Sequence, residues 1–195
     1  MRSNTKVLHE TSSQTAGPYV HIGLASKAAG FEIYDRELGG DIAGPHAAGD
    51  RITVEGIVWD GSGEPVKDVL IETWQANAAG VYAPHGNVEE GFRGWGRVIS
   101  DFETGIWRFE TVRPGSSAGN APHISLWIVA RGINIGLNTR MYFPEADNTA
   151  DPVLGMLPPD QRGTLIAHRT LGDGAHRYRF DITLQGEGET VFFDI

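Results

Sequence analysis

Residues 51–75, RITVEGIVWDGSGEPVKDVLIETWQ, decide the fold class of this chain. The first nine residues are mostly β-branched or apolar and predict a strand, and DGSGEP then supplies several turn formers in succession. This order of strand and turn is typical of a β-hairpin. In the next segment Val69, Ile71 and Thr73 fall on one face and alternate with their neighbours, so the period of two predicts a second strand.

The remainder of the chain repeats this pattern. Residues 96–112 predict a strand, a turn at Gly105 and another strand, and further strands are predicted at 123–130 and 133–143. The C-terminal segment 176–195 alternates between two faces, turns at its glycines and predicts a last short strand.

Helical signals are few. The Gly-Pro pair in residues 16–23 disfavours a helix start, and residues 24–29 can hold at most one short helix. Residues 158–170 give the one strong helix prediction, with proline near the start.

Together these signals predict a mainly β fold, a β-sandwich core of about eight strands with one or two short helices and long loops. A content of 26 Gly and 10 Pro in 195 residues supports many turns. The length and the lack of a linker predict one domain over residues 1–195, with residues 1–23 as an extended N-terminal arm.

Composition restricts the partners and the chemistry. A net charge of −9 argues against nucleic acid and against an anionic membrane surface. Without cysteine there are no disulfides, thiolate metal sites or thiolate nucleophiles, and a reducing cytoplasm is the expected location. The first 15 residues lack the apolar core of a secretory signal, and the apolar runs are too short to span a membrane.

Residues 121–129, APHISLWIV, raise the question of a metal site. His123 and Ser125 share one face of the predicted strand, where two His at this spacing would chelate a metal. The seven His of the chain form none of the common ligand spacings. From the residues alone, His123 is either a ligand or a hydrogen-bonded core His, and Trp74 and Tyr82 are packing residues of a sandwich.

Residues 54–82 closely resemble the signature of the intradiol ring-cleaving dioxygenases, non-haem iron(III) enzymes that open catechols between their hydroxyl groups. The segment WQANAAGVY (74–82) is the most specific part. Segments 96–115, 121–143 and 178–194 follow in the order of the family, so the resemblance spans nearly the whole chain. It implies the family's β-sandwich with extra helices and loops, in agreement with the predicted strands.

The resemblance implies an iron site held by two Tyr and two His, of which this chain keeps half. Tyr82 and His123 match two ligands, whereas Ser117 (or its neighbour) and Ser125 stand at the other two positions. Asn120 replaces the Arg that precedes the two His in the family. A serine hydroxyl is a poor ligand for the hard ferric ion, so we expect no metal site in this chain, with Tyr82 and His123 reused for packing or hydrogen bonding.

Segments 12–25, 130–143 and 185–194 narrow the resemblance to family members built from two homologous chains, α and β. In these members Fe(3+) is bound by the β chain. The resemblance therefore implies that this chain is an α chain, that its partner is a homologous iron-binding β chain, and that the two form a higher-order α/β oligomer. That assembly would act on a small aromatic substrate with O₂.

The same resemblance implies that Gly17, Pro18, Tyr19 and Arg131 line the substrate pocket at the α/β interface, to which the N-terminal arm contributes. A planar guanidinium suits a catechol that carries a carboxylate, and a glycine lets the backbone approach a ligand closely. The alternatives are a surface ion pair for Arg131 and an ordinary turn at Gly17.

We therefore expect a non-iron-binding subunit that shapes the pocket for intradiol cleavage and has no catalytic residue of its own. Two other functions stay open. One is a self-sufficient dioxygenase that completes its ligand set with Tyr142 or His85, and the other is a non-catalytic β-sandwich binding module.

Overall fold

The computed structural model describes residues 11–35, 38–83, 88–170 and 176–194, and this part of the chain forms two β-sheets around a shared core. The strands of the described ranges are β1 Arg51–Trp59, β2 Leu70–Gln75, β3 Trp95–Ile99, β4 Ile106–Val112, β5 His123–Val129, β6 Leu137–Tyr142, β7 His168–Thr170, β8 His176–Arg179 and β9 Ile182–Thr183. The mainly β fold with about eight strands and few short helices is confirmed.

One sheet has the strand order β4-β1-β8-β7, with β9 also pairing with β1, and the other has the order β3-β2-β5-β6. The second sheet is antiparallel throughout, whereas β8 and β9 run parallel to β1. Apolar side chains from both sheets meet between them, among them Val54 and Trp107 from the first sheet and Ile71 and Ile124 from the second.

The turn of the hairpin predicted after β1 is confirmed, but the expected pairing of β1 with β2 is wrong. The chain reverses at Asp60, whose N–H donates to the carbonyl of Glu64 at 3.0 Å, and Val66 N–H donates to Val58 at 2.8 Å. The following strand β2 then joins the other sheet. β3 and β4 are divided between the sheets in the same way, because the turn fixes only a reversal and the apolar faces decide which strands pair.

Two helix predictions need correction. Helix α1 is Tyr19–Leu24, so it lies almost entirely in the segment where the Gly-Pro pair disfavoured a helix, and residues 25–30 form a bend and turns. The restriction imposed by proline acts on the residue before it, whereas Pro18 itself has a φ of −61° that suits the start of a helix.

The helix predicted over residues 158–170 is largely absent from the described structure. Helix α2 is Pro152–Met156, a short 3₁₀ helix covers Arg162–Leu165, and His168–Thr170 is strand β7. β7 pairs with β8, so a tertiary contact overrides the local helix signal. The predicted final strand is reduced to an isolated bridge between Phe193 and Asn138. No helix in the described part of the chain is long and apolar enough to span a membrane.

Candidate functional site

The segment WQANAAGVY forms the support on which Tyr82 is held. The side-chain oxygen of Asn77 accepts hydrogen bonds from the N–H groups of Ala79 at 3.1 Å and Val81 at 2.9 Å, which closes a tight loop. Gly80 completes the loop with a φ of +81°. Directly after it, the Tyr82 ring stacks on Trp74 with ring centroids 5.8 Å apart.

A second residue of this segment ties the two sheets together. Gln75 is fully buried in β2, and its Nε2 donates to the carbonyl of Val112 in β4 at 2.9 Å. Its Oε1 accepts from the hydroxyl of Thr111 at 2.9 Å. The sequence motif is therefore largely structural, and sequence reasoning assigned no role to Gln75 or Asn77. Buried amide groups need such partners, which explains their place in the segment.

Gly80→Ala is expected to lower the free energy of unfolding by about 2–3 kcal/mol. A Cβ at this position would lie 2.0 Å from the carbonyl oxygen of Ser116, and the left-handed φ adds strain. Gly119→Ala is the matched control, because Gly119 has a similar φ of +82° and no atom within 4 Å of the new Cβ. Urea denaturation of both variants should give a clearly larger loss at position 80, and equal losses would contradict the close contact.

Tyr82 and His123, which the family resemblance places at two ligand positions, form a hydrogen bond with each other. His123 Nδ1–H donates a hydrogen bond to the carbonyl of Ala121 at 2.8 Å, which fixes the neutral tautomer with its proton on Nδ1. Nε2 is then the acceptor for the Tyr82 hydroxyl at 3.3 Å. Burial lowers the pKa of His123 and raises the pKa of Tyr82, so both groups are held in their neutral forms.

The two serines lie at different places around this pair. Ser117 precedes a tight turn in which its carbonyl accepts from Asn120 N–H at 2.8 Å, with Ala118 and Gly119 both at positive φ. Ser117, Tyr82 and His123 line one pocket of about 460 Å³. Ser125 faces Trp74 and Arg140 across its strand pairs and lines a neighbouring, tryptophan-rich pocket instead.

Arg140 in β6 enters this site, and sequence reasoning did not find it. Its Nη1 donates to Asn120 Oδ1 at 3.1 Å and to the Tyr142 hydroxyl at 3.5 Å, and it lines the same pocket as Tyr82 and His123. The period of two places Arg140 and Tyr142 on one face, but only the pairing of Ser125 with Arg140 brings the guanidinium to the ligand positions.

The donor set of this chain does not fit iron(III). Two of the four expected ligand positions carry serine, the Nε2 lone pair of His123 accepts a hydrogen bond from the Tyr82 hydroxyl, and the Arg140 cation lines the same pocket. Tyr142 does not supply a free ligand either, because its side chain is buried and its hydroxyl donates to Asp151 Oδ1 at 3.1 Å. Among the described residues, no three His, Asp or Glu side chains lie close enough together to hold a metal. His85 lies outside the described residues.

The residues expected at a substrate pocket lie elsewhere on the chain. Pro18 and Arg131 line one pocket of about 610 Å³ together with Asp68, and Arg131 forms an ion pair with the Asp68 carboxylate. The Arg131 side chain remains 66% exposed, and Tyr19 is 81% exposed. Gly17 accepts a hydrogen bond from Val20 N–H at 3.0 Å at the start of α1, as an ordinary turn would, and its Cα faces open space.

These two pockets lie at opposite ends of β5. His123 begins this strand, and Arg131 follows its last residue, Val129, by two positions. A rise of about 3.3 Å per residue separates the strand ends by roughly 20 Å. The pockets have no lining residue in common, so within one chain Arg131 cannot reach a ligand at His123.

Comparison with known proteins gives the family. A family model described as "Dioxygenase" matches residues 34–186, and the chain is 49% identical over 197 residues to the protocatechuate 3,4-dioxygenase alpha chain of Pseudomonas putida, covering 97% of this chain and 98% of that one. The chain belongs to the intradiol dioxygenase family. It is also 38% identical over 162 residues to the protocatechuate 3,4-dioxygenase beta chain of Burkholderia cepacia, covering 73% of this chain and 67% of that one.

The fold of this dioxygenase chain agrees with the family. The intradiol ring-cleavage dioxygenase of Tetranychus urticae superposes with a TM-score of 0.63 at 17% identity, over 78% of this chain and 89% of that one. The β-sandwich expected from the sequence motifs is therefore confirmed by a solved structure whose sequence has diverged widely.

Proposed function

We propose that this chain is the non-iron-binding α subunit of a heteromeric protocatechuate 3,4-dioxygenase. The proposal rests on the residues that occupy the four positions at which the family resemblance places iron ligands. The Tyr82 hydroxyl donates a hydrogen bond to His123, serine occupies the other two positions, and the Arg140 guanidinium lines the same pocket. A chain of this family with such a site needs its iron from elsewhere, and the proposed source is Fe(3+) held by a homologous β chain.

The similarity to the α and the β chains of known enzymes supports a partner of common ancestry. A surface for it is available around the N-terminal segment, where large apolar side chains are exposed. They include Tyr19, Phe31, Ile33 (59% exposed), Tyr34 and Leu38. Exposed apolar side chains that lie together on a surface are typical of protein interfaces. The proposed assembly is a higher-order α/β oligomer, and the absence of cysteine suits a cytoplasmic location.

The proposed role of the Arg131 pocket is to complete the substrate site of the β chain. Protocatechuate is a catechol with one carboxylate, and the holoenzyme would insert both atoms of O₂ to give 3-carboxy-cis,cis-muconate. An exposed guanidinium can hold the carboxylate, and its ion pair with Asp68 fixes the direction of the side chain. The backbone at Gly17 and Pro18 and the ring of Tyr19 would form the adjoining wall.

Two expected properties follow for iron content and activity. Expressed alone, the chain should contain no stoichiometric iron, show no tyrosinate-to-iron absorption band and consume no O₂ with protocatechuate. Co-expressed with a homologous chain that carries both His ligands, it should co-purify with that chain, and the complex should contain iron and cleave protocatechuate.

Metal analysis, the visible spectrum and oxygen uptake decide the matter. One tightly bound iron in the chain alone, with ring cleavage, would establish a self-sufficient dioxygenase in place of an α subunit. Failure of the two chains to associate would also contradict the proposal.

A further inference from the structure

The guanidinium of Arg140 has donors without an acceptor among the described residues. Its Nη1 is occupied by Asn120 Oδ1 and by the Tyr142 hydroxyl. In the described part of the chain, Nε and Nη2 have no hydrogen-bond acceptor, and no carboxylate lies within ion-pair distance of Arg140. We propose that the pocket formed by Tyr82, Ser117 and Arg140 binds the carboxylate of a small aromatic acid.

The free donors have the geometry that a carboxylate requires. Nε–H and Nη2–H point the same way along one edge of the guanidinium plane, and this edge forms two parallel hydrogen bonds with the two oxygens of a carboxylate. The other edge is held by Asn120 and Tyr142, and the Tyr142 hydroxyl in turn donates to Asp151 Oδ1 at 3.1 Å. Arg140 is thus fixed before a ligand arrives, which reduces the entropy lost on binding.

The charges around the pocket favour an anion. Asp151 is the neighbouring carboxylate, but it is only 2% exposed and accepts hydrogen bonds from three backbone N–H groups and from Tyr142. Arg140 acts on the pKa of His123 more strongly than Asp151 does, and it also lowers the pKa of Tyr82 against the larger effect of burial. Arg140 lines the pocket and Asp151 does not, so the pocket presents a cationic group, although the chain carries a net charge of −9.

The walls suit an aromatic ring behind the carboxylate. Tyr82, Val81 and the ring of His123 supply apolar surface, and the volume of about 460 Å³ is within the range of small-molecule sites. The Ser117 hydroxyl, which forms no hydrogen bond within the described residues, lies at the same pocket and can donate to a carboxylate oxygen. This inference is independent of the proposed function, since it uses neither Arg131 nor a partner chain.

The test is equilibrium binding of 4-fluorobenzoate to the purified chain, followed by fluorine NMR and calorimetry. We expect saturable binding of one molecule per chain. The neutral analogue 4-fluorobenzamide has nearly the same shape, so it should bind at least ten-fold more weakly if the guanidinium recognises the charge. This comparison needs no substitution and applies even if a variant fails to fold.

Variants then locate the site. Arg140→Gln should weaken 4-fluorobenzoate binding at least ten-fold, and Arg140→Lys should restore part of the affinity, because ammonium keeps the charge without the planar edge. Arg108→Gln is the matched control, since Arg108 is paired with Glu55 on the other sheet, and it should leave binding unchanged. Equal binding of benzoate and benzamide, or unchanged affinity in Arg140→Gln, would overturn the proposal.

Discussion

Asp151→Ala is expected to lower the free energy of unfolding by roughly 3–5 kcal/mol, because several buried donors lose their shared acceptor at once. Asp151 Oδ1 accepts from the N–H groups of Val153 and Leu154, both at 2.9 Å, and so caps helix α2. The same oxygen accepts from the Tyr142 hydroxyl at 3.1 Å, and Oδ2 accepts from Ala121 N–H at 2.8 Å. One carboxylate therefore joins α2, β6 and the segment that leads into β5.

Urea denaturation measures this loss, and two further variants make it specific. Asp151→Asn keeps an oxygen for the helix cap but turns an amide N–H₂ towards Ala121 N–H, so it should lose part of the stability. Asp147→Ala removes an exposed carboxylate that accepts two hydrogen bonds from Thr149 within its own turn, and it should cost less than about 1 kcal/mol. An Asp151→Ala variant as stable as Asp147→Ala would contradict the assigned network.

Arg131→Ala, in the assembled enzyme of the proposed function, is expected to raise KM for protocatechuate on the order of ten- to a hundred-fold, with a smaller effect on kcat. The reason is that the variant removes a charge-assisted contact to the substrate carboxylate and leaves the partner's iron untouched. The ion pair with Asp68 does not prevent this role, because the Arg131 side chain is 66% exposed and has further donors. Steady-state kinetics with protocatechuate give the measurement.

Catechol provides the internal control for this prediction, because it lacks the carboxylate and should show a much smaller penalty. Arg131→Lys should recover part of the loss, since ammonium keeps the charge but not the planar fork. Arg108→Ala, which removes another surface ion pair, should leave both substrates unaffected. An equal penalty on protocatechuate and catechol would mean that Arg131 shapes the interface between the chains, and its assignment to the substrate would then be withdrawn.

Much of the fold could be predicted because a strand is encoded locally. The strands predicted over residues 51–59 and 123–130 agree with β1 and β5 within one residue at either end, and the alternation of Val69, Ile71 and Thr73 located β2. The helix over residues 158–170 was predicted wrongly. Its last three residues form β7 and pair with β8, and this pairing outweighs their local preference for a helix. The turn after β1 was predicted correctly while its strand partner was not, since a turn is decided by a few adjacent residues and a sheet by residues far apart.

The sequence by itself determined the strand pattern, the family motif and the presence of serine at positions 117 and 125, where the resemblance leads us to expect ligands. Each depends on residue identity and spacing along the chain. Only the tertiary structure decided that the Tyr82 hydroxyl donates to His123, that Arg140 stands beside them, and that Arg131 lies at the far end of β5. These facts depend on strand register and on the route of the chain between sheets, because a shift of one residue turns every side chain to the opposite face.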